Sequence, residues 1–268
     1  MTDLDCRGAG SQFSPGEGHF AALLRQAEPS LSDHQLRQLS QYRDALFEHN
    51  KITNLTAVRD VRGIEHRLIL ESLRLVRPML SVIDPDHAPA ASVLDIGTGG
   101  GIPGLVLAVS LPRIQFTLLD ATGKKIAFIQ TLIENVGLDN VRTIHGRAEE
   151  IGRDPDLRGT YSVAVARAVS SLPALIELGL PMLKPGGHLL FPKGNDIADE
   201  LRSGHIAASI LGGEIVEAPL LPNVGSYIET RLVIVRKTAP TPGAYPRRSG
   251  IPSRDPLSTS SRKSQTGM

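Results

Sequence analysis

The stretch VLDIGTGGGIPG, at residues 93–104, constrains the fold of this chain more than any other feature. An apolar run and an aspartate lead into a loop that is almost entirely glycine, and a second apolar run follows Pro103. Glycine permits sharp turns and lets a ligand approach the backbone closely. Proline suits the first position of a helix. The stretch therefore predicts a strand, a ligand-binding loop and a helix in succession.

Strand and helix patterns alternate after this loop. Apolar runs predict strands at 92–96, 114–119, 141–145, 161–166 and 188–191, and helical periodicity predicts helices at about 103–111, 123–136 and 171–183. Such alternation is typical of an α/β protein with a doubly wound parallel sheet. Two later runs, 213–221 and 227–235, are joined by a turn signal, so we expect the sheet to end in an antiparallel hairpin.

A helical segment precedes the α/β pattern. Ser32 opens a capping box, and apolar residues recur at helical spacing over 33–48. Asp60 is expected to cap a second helix that ends at Pro78. We therefore divide the chain into a disordered leader at 1–18, a helical extension at 19–91 that closes with a linker at 84–91, an α/β domain at 92–237, and a basic, partly disordered tail at 238–268.

The composition excludes several classes of protein. A net charge of +1 provides no global attraction to nucleic acid. Cys6 is the only cysteine, so no intrachain disulfide can form. The first residues lack a signal-peptide pattern, and no apolar run reaches the ~18 residues needed to span a bilayer. We therefore expect a soluble, cytoplasmic protein, and we predict no metal site.

Acidic residues around the glycine loop bear on the choice between two cofactors. Asp120 ends the second strand, where an acid accepts hydrogen bonds from ribose hydroxyls. Residues 99–104 match the G-x-G-x-x-G pattern of nicotinamide-dependent oxidoreductases, which is a weak signal by itself. Asp95, two residues before Gly97, completes a D-x-G-T-G-x-G pattern that resembles motif I of class I methyltransferases. A carboxylate there would attract the cationic S-adenosylmethionine and repel a pyrophosphate, so we favour S-adenosylmethionine.

Two further strand ends supply candidate contacts to that cofactor. Ala148 leaves room for an adenine ring, and Glu149 beside it is placed to accept a hydrogen bond from the exocyclic amine. Glu149 is equally explained as an acid that stabilises a helix N-terminus. Arg167 follows the fourth strand, where it is placed to clamp a carboxylate or phosphate; the alternative is an ordinary surface arginine.

Missing motifs narrow the acceptor of the methyl group. Methylation of a pyrimidine C5 generally needs a cysteine nucleophile, and Cys6 lies in the predicted disordered leader. The fourth strand is followed by ARAV at 166–169, not by the Asn/Asp-Pro-Pro-aromatic stretch typical of exocyclic-amine methyltransferases. An acceptor that is already nucleophilic, such as guanine N7, needs only alignment with the methyl group. We therefore expect that no strong base is needed, and the sequence leaves the catalytic residues unknown.

Several stretches of the chain resemble the RsmG family, which is also called GidB. They are HNKITNLTAVRD, HRLILESL, VLDIGTGGGIPG, FTLLDATGKKIAFI, GRAEEI, ARAVSSL, LKPGGHLLFPKG and YPRRSGIPSRDPL. The resemblance covers about residues 33–257; Gly100 departs from it, because Pro or Ser is frequent there.

The resemblance implies methylation of guanine N7 in the 530 loop of 16S rRNA, with the small ribosomal subunit as partner. We also expect the enzyme to be a monomer. The resemblance also implies a set of residues that contact S-adenosylmethionine, to which the ribose argument adds one acid. The set is Gly97, Ile102, Asp120, Ala148, Glu149 and Arg167. A ribosome-assembly factor that retains the pocket without catalysis is a further alternative.

Basic residues cluster where they are placed to meet RNA phosphates, through few and salt-sensitive contacts. They are Lys124, Lys125, Arg147, Arg236, Lys237, Arg247, Arg248, Arg254, Arg262 and Lys263. We expect Asn50, Lys51 and Asn54 to form one wall of the substrate cleft. Removal of the tail after Lys237 is expected to weaken RNA binding and to leave cofactor binding intact.

Overall fold

A seven-stranded sheet lies at the centre of the protein. The computed structural model describes residues 15–83, 90–167, 170–223 and 229–258. The strands are β1 (Ser92–Ile96), β2 (Gln115–Asp120), β3 (Val141–His145), β4 (Tyr161–Val165), β5 (Leu183–Lys193), β6 (Gly213–Glu217) and β7 (Arg231–Lys237). Their spatial order is β3-β2-β1-β4-β5-β7-β6. The order reverses between β1 and β4, and ligands bind outside the carboxyl ends of the strands at such a reversal.

The pairing confirms the predicted doubly wound sheet. β1 pairs in parallel with β2 and β4, and β3 and β5 extend the parallel part on either side. β7 is antiparallel to β5 and β6 and lies between them. β5 is longer than the predicted run at 188–191, because its first half contains Pro185 and Gly186, which read as a turn in the sequence.

Helices cover both faces of the sheet. They are α1 (Pro15–Ala27), α2 (Asp33–Asn50), α3 (Val61–Gly63), a π-helical segment (Ile64–Leu70), α4 (Glu71–Leu73), α5 (Val76–Val82), α6 (Gly104–Ser110), α7 (Gly123–Val136), α8 (Ala148–Ile151), α9 (Leu172–Gly179), α10 (Ala198–Leu211) and α11 (Ile251–Arg254). Successive side chains of a strand point to opposite faces. Val93 therefore packs in a core with α1, α2 and α4 to α7, and Leu94 packs in a second core with α9 and α10. Within the described ranges, no helix is both long and apolar enough to cross a bilayer.

The helical extension begins earlier than the sequence pattern indicated. α1 starts at Pro15, so the prediction of disorder up to residue 18 is wrong for its last residues; residues 1–14 lie outside the described part of the chain. Phe20 and Leu24 of α1 are fully buried. Burial of a large apolar side chain stabilises the fold by roughly 1.5–3 kcal/mol, so packing against α2 favours a helix despite the nearby glycines.

The second predicted helix is divided into shorter pieces. Asp60 caps it as expected, because its side chain accepts a hydrogen bond from the Gly63 N–H at 2.7 Å. The α-helical turns then pass into the π-helical segment and end at Leu73. The prediction that Pro78 ends the helix is wrong: Pro78 lies in the first turn of α5, where its missing N–H would have no helical partner anyway.

Two C-terminal regions also differ from expectation. α10 was not predicted, since Gly204 in its interior lowers the helical signal; a Cβ at Gly204 would lie 2.7 Å from Leu172, so glycine permits close packing on α9. The tail predicted to be partly disordered is folded through residue 258, with Tyr245 and Leu257 buried in the second core. Residues 84–89 of the predicted linker and residues 259–268 lie outside the described ranges.

Candidate functional site

The glycine loop connects β1 to α6 through backbone conformations that favour glycine. Gly97, Gly99 and Gly101 have φ values of 69°, 60° and 98°. A residue with a Cβ in such a left-handed backbone conformation would destabilise the fold by roughly 1–2 kcal/mol. The Gly97 and Thr98 N–H groups donate to the Leu119 carbonyl at 2.8 and 3.0 Å, which holds the loop against the end of β2.

Asp95 stabilises the loop from behind. It is fully buried, and its Oδ2 accepts a hydrogen bond from the Gly104 N–H at 2.8 Å at the start of α6. Burial raises the pKa of Asp95 to about 7. The Asp95 Oδ1 and the Thr98 hydroxyl have no hydrogen-bond partner among the described residues. The Thr98 hydroxyl nevertheless lies close to the carboxyl group and opposes part of the rise in its pKa. The interpretation of Asp95 as a direct partner of a cationic ligand therefore needs correction: the carboxyl group points into the protein.

Asp120 links the glycine loop to the start of α7. One carboxylate oxygen accepts a hydrogen bond from the Gly99 N–H at 3.0 Å, and the other accepts one from the Thr122 N–H at 2.8 Å. Lys125 lies 3.8 Å from the carboxylate. An ionised carboxylate has about four acceptor sites, so Asp120 retains capacity for further donors.

A cavity of about 230 Å³ opens between the loop, β2 and α8. Its lining includes Gly97, Asp120, Ala148, Glu149 and Ser253. We call it the nucleoside cavity, after the adenosine-type cofactor that the sequence predicts beside these residues. It brings together four of the six residues predicted to bind a cofactor. Ile102 is absent from its lining and packs, partly buried, against the first core.

Glu149 shows both of the roles weighed for it. It lies in the first turn of α8, as the helix N-terminus interpretation requires, and it also lines the nucleoside cavity. It is 7% exposed, and its Oε1 accepts a hydrogen bond from the Gly250 N–H at 2.7 Å. The C-terminal tail thus contacts the cavity directly, so the expectation that removal of the tail leaves cofactor binding intact stays a prediction to be tested.

Arg167 lines a different cavity, of about 320 Å³, together with Glu71, Lys193, Glu200 and Thr230. We call this the second cavity. The Arg167 guanidinium donates to the carbonyls of Arg67 and Leu68, and burial lowers its pKa. The structure therefore does not bring Arg167 together with the other predicted cofactor residues. It places Arg167 between the end of β4 and the helical extension.

The helical extension supplies a contact to the loop that the sequence reasoning missed. The buried Tyr42 hydroxyl donates to the Gly100 carbonyl at 2.9 Å. Burial and then the nearby Asp95 raise the pKa of Tyr42, so the hydroxyl keeps its proton. A Cβ at Gly100 would lie 2.8 Å from Leu46, which suits the unusual glycine at this position. In the sequence, Tyr42 is visible only as one apolar position of a helix.

The predicted wall of the substrate cleft is partly structural. Asn50 is buried, and its amide bonds the backbone of Leu55, Thr56 and Val58 at 2.7–3.0 Å. It therefore orders the loop and does not face a ligand. Lys51 and Asn54 are exposed; Lys51 pairs with Glu48, and Asn54 accepts a hydrogen bond from Arg59.

Several of the basic residues predicted to meet phosphates have partners within the protein. Arg236 pairs with Glu214, and Arg247 pairs with the fully buried Glu177. Lys237 is buried and donates to the Leu180 carbonyl, and burial lowers its pKa to about 8. The phosphate interpretation is therefore wrong for Lys237 and Arg247. Among the members that the structure describes, the exposed ones are Lys124, Arg147, Arg236, Arg248 and Arg254; Arg262 and Lys263 lie outside the described ranges.

The strand order, the glycine loop after β1 and the acid that ends β2 define a Rossmann-like methyltransferase fold. A solved structure from Galdieria sulphuraria, assigned provisionally as a sarcosine dimethylglycine methyltransferase, aligns with a TM-score of 0.50 and 13% identity. The alignment covers 67% of this chain and 88% of that one. The likeness is one of fold.

Sequence comparison identifies the family. A family model described as GidB, rRNA small subunit methyltransferase G, matches residues 35–224. A ribosomal RNA small subunit methyltransferase G from Chloroflexus aggregans is 43% identical over 227 residues, which cover 85% of this chain and 92% of the relative. The relative from Deinococcus deserti is 43% identical over 214 residues, covering 79% and 84%. The chain belongs to the GidB family and is a methyltransferase.

Proposed function

We propose that this enzyme transfers a methyl group from S-adenosylmethionine to N7 of a guanine in the 530 loop of 16S rRNA. The substrate would be the small ribosomal subunit in the cytoplasm, and the enzyme would act as a monomer. The observation that carries the proposal is the nucleoside cavity, formed where the family's glycine loop meets Asp120 and Glu149. Relatives with 43% identity carry the name of an rRNA small subunit methyltransferase.

The residues of the nucleoside cavity fit the cofactor. Gly97 offers backbone without a side chain, so a ligand can approach closely. The free acceptor sites of Asp120 suit ribose hydroxyls, and those of Glu149 suit an exocyclic amine. Ala148 leaves space for a flat ring. Bound there, S-adenosylmethionine supplies an electrophilic methyl group on a sulfonium.

The second cavity is the candidate site for the target base. Arg167 and Lys193 contribute cations, and Glu71 and Glu200 contribute carboxylates. Guanine presents the acceptor O6 beside the N1 and N2 donors, so a site with both charge signs can read its Watson–Crick edge. N7 would then stay free to receive the methyl group. Arg167 accordingly becomes a substrate residue in this proposal, and Ile102 supports the loop from its apolar side.

Guanine N7 agrees with the side chains that the chain offers. N7 has a lone pair and no proton, so transfer requires alignment of two partners and no general base. The described residues around Arg167 carry no Asn/Asp-Pro-Pro-aromatic stretch. The antiparallel β6–β7 pair occupies the place of a second nucleotide-binding half, which disfavours the nicotinamide alternative.

A reaction with small subunits tests the proposal. Subunits from a strain that lacks this protein would be incubated with the purified enzyme and labelled S-adenosylmethionine, and the 16S rRNA analysed by mass spectrometry. We expect one 7-methylguanine, in the 530 loop. A methyl group on another atom or in another loop would contradict the assignment of the acceptor. Absence of any methylation, with retained binding to the subunit, would favour the assembly-factor alternative.

The domain division is also a proposal. The helical extension, taken as 19–91 in the sequence, begins in the structure at Pro15 and shares a core with the α/β domain at 92–237. Tyr42 and Leu46 of the extension lie against the glycine loop. We therefore assign the extension a role in shaping the site as well as in binding RNA.

A further inference from the structure

The folded part of the C-terminal tail is fastened to the protein by a buried ion pair. The Arg247 guanidinium donates to both carboxylate oxygens of Glu177 in α9, with its closest contact at 2.7 Å, and the Arg247 backbone N–H donates to the same carboxylate at 2.8 Å. Glu177 is fully buried. Removing one partner of a buried pair leaves an uncompensated charge, so this contact holds the tail in one place.

Further contacts extend the attachment along the segment 245–257, which we call the clasp. The Arg247 Nη2 also donates to the Asp255 carbonyl at 2.7 Å, which joins the two ends of the clasp. Arg158 donates to the Tyr245 carbonyl at 2.8 Å. Leu257 is 2% exposed in the second core. The clasp is therefore anchored at its start, at its end and across its middle.

The middle of the clasp reaches the nucleoside cavity. The Gly250 N–H donates to Glu149 Oε1 at 2.7 Å, and Gly250 has φ = 81°, which favours glycine. Ser249 donates to Glu150 at 3.2 Å. Ser253 lines the same cavity as Gly97 of the glycine loop, and its hydroxyl lies 3.2 Å from that of Ser170. Residues about a hundred positions apart in the chain thus meet at one carboxylate.

We propose that the clasp is a wall of the cofactor site and that Arg247 is a positioning residue for cofactor binding, acting through Gly250 and Glu149. This inference rests on the proposed function, in which the nucleoside cavity receives S-adenosylmethionine. With Oε1 of Glu149 held by the Gly250 N–H, the carboxylate has a fixed orientation, and its remaining acceptor sites can be directed at the exocyclic amine of the adenine. Preorganisation of this kind raises affinity because less ordering is required on binding.

The test compares full-length variants by calorimetry with S-adenosylhomocysteine and by steady-state kinetics with small subunits. Arg247→Ala should weaken binding of S-adenosylhomocysteine by about tenfold or more, as expected for loss of a charge-assisted hydrogen bond at Glu149. The KM for S-adenosylmethionine should rise in parallel, and the KM for the subunit should not. Arg247→Lys should restore part of the affinity. Arg202→Ala, which removes an arginine from an exposed ion pair with Asp199, is the matched control and should change neither KM.

A second variant covers the case in which Arg247→Ala fails to fold. Ser253→Phe places a bulky ring at an exposed position of the cavity wall, leaves both partners of the buried ion pair unchanged, and should weaken S-adenosylhomocysteine binding with the melting temperature unchanged. Unchanged affinity in folded Arg247→Ala, or in Ser253→Phe when the first variant is unfolded, would overturn the clasp proposal. If the wild-type protein itself bound no S-adenosylhomocysteine, the proposed function would fail first and the clasp proposal with it.

Discussion

The nucleoside cavity and the second cavity are lined by different chemical groups. The nucleoside cavity combines backbone amides of the glycine loop with two carboxylates, Asp120 and Glu149, each held by backbone N–H groups. The second cavity is lined by charged side chains, including Arg167 and Lys193, that come from separate parts of the chain. Backbone amides and fixed acceptors suit one invariant small ligand. A mixed set of long charged side chains suits a polar base carried by a charged polymer.

Because the two cavities are lined by different groups, a mutation in one cavity should leave the function of the other unchanged. Changes in the nucleoside cavity should act on cofactor affinity, and changes in the second cavity should act on the rRNA substrate. Arg167 also donates two hydrogen bonds to the helical extension, which itself supplies Glu71, Ser72 and Leu75 to the lining of the second cavity.

Gly97→Val should have the largest effect. Valine is strained at φ = 69° and carries a branched side chain into the nucleoside cavity. We expect loss of measurable S-adenosylhomocysteine binding in calorimetry, with the circular dichroism spectrum of the sheet retained. Gly18→Val, at a position with open space around it, is the matched control. Normal affinity in Gly97→Val would show that this loop does not hold the cofactor.

Asp120→Ala should weaken S-adenosylhomocysteine binding through loss of charge-assisted hydrogen bonds, roughly 1.5–3 kcal/mol. The Gly99 and Thr122 N–H groups would lose their acceptor as well, so the loop should become less ordered. Asp120→Asn keeps the shape and part of the acceptor capacity and should lie between the wild type and the alanine variant. Equal dissociation constants for all three proteins would mean that the acid has only a structural role.

Arg167→Ala should have a smaller effect, and on the other partner. Because Arg167 lines the second cavity, kcat/KM for small subunits should fall by about tenfold, in the range of one charge-assisted hydrogen bond. Affinity for S-adenosylhomocysteine should stay within about twofold. Arg167→Lys keeps the charge without the forked geometry and should recover little. A loss confined to cofactor affinity would instead support the contact implied by the family resemblance.

The pH profile of methyl transfer should show the smallest effect. With guanine N7 as acceptor no side chain removes a proton, so the single-turnover rate should vary little between about pH 6.5 and 8.5. Asp95, whose pKa is raised to about 7, lies beside the glycine loop and titrates within this interval. Any shallow step should therefore disappear in Asp95→Asn. A unit-slope rise that persists in this variant would indicate a general base and a different acceptor atom.

The raised pKa of Asp95 also predicts how the stability of the protein depends on pH. The folded pKa of Asp95 is about 7 and its ordinary value is 3.8, so the folded protein binds a proton that the unfolded chain has released between these pH values. Its stabilising contribution is therefore complete below about pH 4 and is lost as the pH rises through 7. Chemical unfolding at several pH values should show Asp95→Asn gaining stability relative to the wild type over this interval. A constant difference would contradict the raised pKa.

Local patterns in the sequence predicted much of the fold, and four of the six residues predicted to bind the cofactor lie around one cavity. Ser32 and Gln35 form the predicted capping box, because a cap depends on residues three positions apart. Gly97 and Asp120 could be predicted because Gly97 comes directly after β1 and Asp120 is the last residue of β2. The ends of these adjacent parallel strands meet at one edge of the sheet. The cofactor class followed from the glycine loop and Asp120, and the family resemblance followed from several stretches spread over residues 33–257.

Tertiary structure alone decided the contacts between distant segments. The pairing of Glu149 with Gly250 and of Tyr42 with Gly100 joins residues 101 and 58 positions apart. Neither a periodic pattern nor a helix cap in the sequence indicates contacts between residues so far apart in the chain. The sequence indicated that Arg167 and Arg247 bind phosphate or carboxylate groups of ligands. Because both guanidinium groups are partly buried, they need oxygen partners within the protein. The packing of the helices determines that these partners are the Arg67 carbonyl and the Glu177 carboxylate. Side chains at turns and strand ends have several partners within reach, and only the complete packing arrangement selects among them.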